Sequence, residues 1–249
     1  NIDVEDFMIF NLTEGELGKK VAAAKALEFV KSGMVIGLGT GSTAAWFLKL
    51  LAERIITEEL KISCVPTSEV TKESADKLHI PLTTIEEASA IDLVVDGADE
   101  FDPMLNLIKG GGGALLQEKI VAAAANHMVV IADYTKEVSS LGAFDLPVEV
   151  VKFGSSSTKT AIEKVLKKLN YSKFEVRFRA QNSQKFVTDE QHFIIDLKLN
   201  KINDPQILHN HLIACPGVVE TGLFVNLANT IVVGKSDGTC KVIRKERPS

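Results

Sequence analysis

The residues of this chain best equipped for chemistry begin with VVDGADEFD (94–102), where Asp96, Asp99, Glu100 and Asp102 crowd behind a short apolar run. Like charges this close repel unless they are solvated, neutralised by a metal ion, or set against a substrate whose protons must be moved. The spacing is not that of a calcium-binding loop, whose acidic ligands alternate, although Asp96 and Asp99 could hold magnesium. Glu100 and Asp102 read as a solvated, helix-capping loop. Lys109 then opens KGGGG (109–113), and ALLQEKIVAAAA carries Glu118 into a helix. Four successive glycines are costly to order, and they make sense where backbone must approach a ligand and offer it N–H groups. Glu118 shares a helix flank with Leu115 and Ala122. A carboxylate on such a flank loses water and is tuned towards base chemistry; the plainer reading of Glu118–Lys119 is surface charge.

A second candidate is GLGTGST (37–43), a turn between a strand and a helix. Its N–H groups and the hydroxyls of Thr40, Ser42 and Thr43 are expected to converge on a helix N-terminus as a phosphate cradle. No lysine follows the glycines as in a Walker A loop, and Ser42 stands where a dinucleotide fingerprint has its third glycine. The inventory is a phosphate cradle, strand-end aspartates, a lysine, a glycine-lined helix entrance and a glutamate, with neither histidine nor cysteine among them. It suits proton transfer on a small phosphorylated molecule. Acyl transfer would need an activated nucleophile.

The elements that must position these groups can be read from the pattern. Thr13-Glu14-Gly15-Glu16 is a capping box before an Ala-rich amphipathic run. Buried strands over 34–39, 62–67, 91–96 and 127–133 alternate with helices, which argues for a Rossmann-like, doubly wound, mostly parallel α/β sheet. From Pro147 the order becomes strand 148–152, helix 157–169, strands 174–179 and 192–198, helix 204–213 and strand 218–225, a ferredoxin-like α+β plan. Two last strands, NTIVVG and CKVIRK, return to the first sheet. The expected domains are 1–146 with 226–249, and 147–225.

Composition bounds the function. The 249 residues carry a net charge of −5, with 45% hydrophobic and 24% charged residues. Apart from a terminal run at Lys241–Arg247, Lys and Arg are scattered, so nucleic acid is not an expected partner. No apolar run reaches the roughly 20 residues that span a bilayer, and the acidic NIDVEDFMIF start does not read as a signal peptide. Cys64, Cys215 and Cys240 form no C-x-x-C pair and fit reduced thiols in a cytoplasm. His209 and His211, two apart on a helix, point to different faces and read as structural.

Taken in order, GLGTGSTA (37–44), DGADE (96–100), KGGGG…EK (109–119), FDLPVEV (144–150) and PGVVETGLF (216–224) resemble the A-type ribose-5-phosphate isomerases over nearly the whole chain. The resemblance implies interconversion of ribose 5-phosphate and ribulose 5-phosphate, a step of the non-oxidative pentose phosphate pathway, without metal or organic cofactor. It makes Glu118 the base that moves a proton between C2 and C1 through an enediolate, and gives hydroxyl protons and ring opening to Asp96 and Asp99. Lys109 and the N–H groups of Gly110, Gly111 and Gly112 would stabilise the enediolate oxygen. Thr40, Gly41, Ser42, Thr43, Gly97 and Ala98 would hold substrate, with Lys136 and Lys19 assisting at the phosphate. The acidic cluster would then be answered by Lys109 and by a hydroxyl-rich substrate.

The second domain and the final strands could support a homodimer or homotetramer. Gly113 departs from a more usual Ala, which is expected to loosen the loop, and Leu116-Gln117 replaces a more polar pair. Amino-sugar phosphate deaminases and sugar-phosphate lactonases are rivals, but they would want a histidine in the site. A sugar-phosphate sensing module would need a DNA-binding domain. A CoA-transferase-like protein would use its Glu as nucleophile without the DGADE aspartates.

Overall fold

The computed structural model describes residues 12–245; the NIDVEDFMIF stretch and the last residues of the basic run lie outside them. In chain order the elements are α1 (Glu14–Ala26), β1 (Val35–Leu38), α2 (Ser42–Glu58), β2 (Ser63–Pro66), α3 (Glu69–Lys77) and β3 (Leu93–Gly97). Then come β4 (Glu100–Phe101), β5 (Leu107–Ile108), α4 (Leu115–Ala124), β6 (Met128–Asp133), β7 (Leu146–Val150) and α5 (Ser155–Lys168). The chain continues through β8 (Glu175–Phe178), β9 (Ala180–Gln181), β10 (Gln184–Lys185), β11 (Phe193–Lys198) and α6 (Pro205–Ile213). It closes with β12 (Val218–Thr221), β13 (Leu223–Phe224), β14 (Thr230–Gly234) and β15 (Cys240–Arg244).

Two compact units result, one of residues up to Gly97 with Val121–Lys136 and the segment from Asn229, the other of Ala98–Ile120 and Glu137–Ala228. Packing thus groups 98–120 and 137–146 with the second unit, a division that differs from a boundary at Pro147. The reason is that Ile108, Leu141 and Leu146 share a core with Val148, Ile195 and Leu223.

The first unit is a six-stranded sheet ordered β15-β14-β6-β3-β1-β2. Every neighbouring pair is parallel except β14–β15. The chain steps from β1 outward to β2, then crosses back to β3 on the other side of β1. That reversal is the topological switch point at which ligands bind in open α/β sheets. Side chains such as Phe47, Leu51, Ile36 and Val95 are buried in its core, the gain being about 1.5–3 kcal/mol for each large apolar group. Thr13 caps α1 by accepting from the Glu16 N–H at 3.3 Å, as the capping box implies.

The second unit holds a four-stranded antiparallel sheet ordered β12-β7-β11-β8, flanked in sequence by α5 and α6 in the ferredoxin-like order. The stretch 218–225, read as one strand, is two. At Gly222 the chain leaves the four-stranded sheet and enters a small one ordered β13-β5-β4. Only glycine fits this corner, because a Cβ would lie 2.3 Å from the Lys109 carbonyl oxygen and 2.8 Å from Pro147 Cδ. The short β4–β5 and β9–β10 hairpins were not expected from the sequence pattern.

Candidate active site

In the first unit the site is built at the switch point. Leu38 pairs with Val95 across β1 and β3, so the residues just past the strand ends meet. Asp96, 1% exposed, accepts the Thr40 N–H at 3.1 Å and the Gly97 N–H at 2.7 Å through Oδ1. Gly39 makes room for it, since a Cβ there would come within 2.1 Å of Asp96 Oδ1. The Thr40 hydroxyl does not join those of Ser42 and Thr43 as expected. It turns into a cluster with Thr67 (2.9 Å), Ser68 (2.8 Å) and Thr71 (3.0 Å), because β2 runs parallel beside β1 and ends level with it. Helix α2 starts at Ser42 behind Gly41, whose φ of 111° a β-carbon would oppose, and no side chain caps it. Its first-turn amides, Ser42 and Thr43 included, have no acceptor within the helix, the general condition under which a helix N-terminus can take an anion.

In the second unit Lys109 and Glu118 are 2% and 4% exposed and form an ion pair of 3.2 Å. The surface reading of Glu118 is therefore wrong: the first turn of α4 faces inward. The Lys109 N–H donates to the Gly222 carbonyl at 2.8 Å, and its ammonium stands 5.5 Å from the centre of the buried Phe224 ring. Lys119 is also drawn inside, donating to Glu220 (2.7 Å) and to the carbonyls of Thr221 (2.7 Å) and Leu223 (2.8 Å). Burial pushes it below the ordinary lysine range, with Glu220 acting the other way.

Asp99 accepts the Gly111 N–H at 2.8 Å. Glu100 is not a solvated acid but 4% exposed, taking the N–H groups of Gly142 (2.8 Å) and Phe144 (2.5 Å). Asp102 caps no helix; it organises the β4–β5 turn by accepting from the amides of Met104 and Asn106. Gly110 and Gly113 sit at φ 99° and 85°. The Phe186 ring lies where a Gly113 Cβ would be, 2.4 Å from Cζ, and the turn closes with a Gly113 N–H bond to the Gly110 carbonyl at 3.0 Å.

A buried carboxylate paired with a lysine, in the segment that follows a loop of four glycines, is an arrangement suited to moving a proton at carbon. Residues 63–238 match the family described as ribose 5-phosphate isomerase A (phosphoriboisomerase A). The chain belongs to this family. A relative named ribose-5-phosphate isomerase A, from Dinoroseobacter shibae, is 51% identical over 90% of this chain and 86% of its own. The ribose 5-phosphate isomerase of Plasmodium falciparum superposes with a TM-score of 0.87 at 38% identity, over 92% of this chain and 98% of that one. A D-ribose-5-phosphate isomerase structure in complex with phospho-erythronic acid gives 0.85 at 38% identity, over 94% and 100%. The doubly wound fold expected from the sequence is that of these isomerase A structures.

Two lysines expected at a phosphate are placed less simply. Lys19 pairs with Glu16 at 2.9 Å, and Glu16 also accepts the Trp46 indole N–H at 2.9 Å; these contacts hold the Glu16 carboxyl below its usual range. Lys136 ends a single 3₁₀ turn (Tyr134–Lys136) after β6, half-buried. His209 bonds the Thr221 hydroxyl at 2.8 Å, and His211 the Ile207 carbonyl at 2.9 Å. The sequence reading missed Arg179, Gly222 and Phe224. TGLF at 221–224 lay inside a quoted motif, and a glycine between paired strands was its signal.

Proposed function

We propose that the chain interconverts D-ribose 5-phosphate and D-ribulose 5-phosphate through an enediolate, needing neither metal nor organic cofactor. Glu118 as carboxylate takes the proton from C2 of the open-chain aldose and returns it to C1. Asp96 and Asp99 move the hydroxyl protons and help open the furanose ring. Negative charge develops on the carbonyl oxygen, where Lys109 and the glycine-loop amides of Gly110 and Gly112 can answer it, while the Gly111 amide holds Asp99. Gly41, Ser42, Thr43, Gly97 and Ala98 hold the sugar phosphate, with Thr40 tying that turn to Asp96 and to the Thr67–Thr71 hydroxyls and with Lys136 and Lys19 on the phosphate side. The observation that carries this reading is the buried 3.2 Å Lys109–Glu118 pair beside the glycine loop. It is supported by a related isomerase that takes phospho-erythronic acid, whose carboxylate offers two oxygens as an enediolate does.

A positioned base is worth about 10²–10⁴ in rate. Glu118→Gln is therefore expected to lower kcat by that factor, in excess EDTA, with wild-type turnover unaffected by the chelator. Abolition by EDTA would return Asp96 and Asp99 to metal binding, and an active Glu118→Gln would shift the base to one of them. No helix among the described residues is long and apolar enough to cross a membrane. A homodimer or homotetramer in a reducing cytoplasm is the expected state, which light scattering of the full chain would check.

A further inference from the structure

The glycine loop is held from behind by a side chain outside every motif quoted above. Arg179, just past β8, donates from Nη1 to the carbonyls of Gly110 at 2.8 Å and Gly111 at 3.1 Å. Its Nε and Nη2 grip Asp196 of β11 at 3.1 and 2.6 Å. Asp196 is 7% exposed, so a buried carboxylate fixes the plane of the guanidinium. Phe186, whose ring fills the space a Gly113 Cβ would need, has its centre 5.8 Å from the guanidinium carbon. The Phe186 N–H also donates to the Arg179 carbonyl at 2.9 Å.

A trans peptide is planar, and its C=O and N–H point in opposite directions. The Gly110–Gly111 plane is therefore gripped at both ends, by Arg179 at its carbonyl and by Asp99 at its N–H. The Gly111–Gly112 plane is gripped at its carbonyl by the same nitrogen, which turns the Gly112 N–H away from the arginine. Glycine opposes peptide rotation less than any other residue, so the loop cannot fix these planes by itself.

Resting on the isomerase reading, we propose that Arg179, locked by Asp196, is a positioning residue. It sets the two peptide planes so that one amide orients Asp99 and the next faces the enediolate oxygen. Arginine is required because a lysine is a point donor that cannot serve two carbonyls and a bidentate carboxylate together.

The test compares ribose 5-phosphate turnover of wild type, Arg179→Ala, Arg179→Lys and Asp196→Asn, with and without millimolar guanidinium. A misplacement of about 1 Å costs about 10²-fold, so Arg179→Ala should lose about 10²-fold in kcat with KM changed less than about threefold. Added guanidinium should restore about tenfold of that loss, because the ion can reoccupy the charge-assisted bonds. Arg179→Lys should gain little over Ala. Unchanged kcat in Arg179→Ala, or a loss that guanidinium leaves untouched while the melting temperature falls, overturns the proposal. Should Arg179→Ala not fold, Asp196→Asn, which keeps the arginine but loosens its plane, should still lower kcat more than it raises KM; normal kcat there overturns it equally. An inactive wild type would instead overturn the isomerase reading itself.

Discussion

Lys109→Met isolates the electrostatics at the centre of the site. At 3.2 Å and an effective dielectric of 20, the attraction between Lys109 and Glu118 is about 5 kcal/mol. That attraction is spent largely against desolvation, so the pair's net value is small, whereas stripping one partner leaves a buried charge uncompensated at about 3–5 kcal/mol. Methionine keeps the packing against Phe224, which confines the change to charge. At about 2–4 °C per kcal/mol for a chain of this size, the melting temperature should fall by roughly 6–20 °C. If Lys109 serves the oxyanion as proposed, turnover should fall about 10²–10³-fold with the loss of that donor.

The decisive comparison is Lys109→Met/Glu118→Gln, read by calorimetry. With both charges gone, the double variant should recover most of the lost stability while staying inactive. A single variant melting within about 2 °C of wild type, or a double variant no more stable than the single, would refute the argument that an unpaired buried charge dominates.

Gly39→Ala should abolish turnover while Asp96→Asn only weakens it, because the new Cβ would sit 2.1 Å from Asp96 Oδ1 and 2.5 Å from its Cα; kinetics on the purified variants checks the order. Burial pushes the Cys64 thiol up to about 12, leaving a thiolate fraction of about 10⁻⁴ at pH 8. Iodoacetamide should therefore spare Cys64 in the native protein and label it after unfolding, as peptide mass spectrometry would show. Burial also raises the Glu149 carboxyl above its ordinary 4.5, opposed by His192 and Thr188. Because the folded state then holds this proton to higher pH than the unfolded chain, its stabilisation is complete below pH 4.5 and lost as pH rises through the folded value. The melting temperature of Glu149→Gln relative to wild type should accordingly climb as pH rises above 4.5, and a flat difference would contradict the assignment.

Periodicity revealed the large elements because each buries one face against a sheet, and that face is written locally. Thus β1, β2, β3 and β6 fall within a residue or two of where apolar runs place them. What stayed hidden depends on partners distant in sequence. Glu118 reads as surface charge because nothing near it announces Lys109, and nothing near Lys109 announces Gly222, which fixes its backbone more than a hundred residues away. The hydroxyl of Thr40 was assigned outward for the same reason, since Thr67, Ser68 and Thr71 come from the next strand and helix. Arg179 ends the strand read over 174–179, whose alternation says which residues face the core but not what this side chain reaches, and only the closed fold brings it behind the glycines.

The acidic run shows how far such partners change a reading. Four carboxylates in seven residues seem to ask for one counter-charge, a metal or a lysine, because a sequence displays charge and not amides. In the fold they separate into four environments, and backbone N–H groups answer each. Asp96 takes two amides from the switch-point turn, and Asp99 takes one from the glycine loop. Glu100 takes two from a loop some forty residues on, and Asp102 takes two from its own turn. Bonds from N–H to carboxylate are charge-assisted and individually strong, and each also fixes the backbone that donates. Glu100 and Asp102 spend their charge on building the β4–β5 hairpin that delivers Lys109. Asp96 and Asp99 spend theirs on aligning the two turns proposed to hold substrate. The spacing of DGADEFD thus encodes which amides each carboxylate can reach, so moving one acid by a single position should cost more than removing its charge.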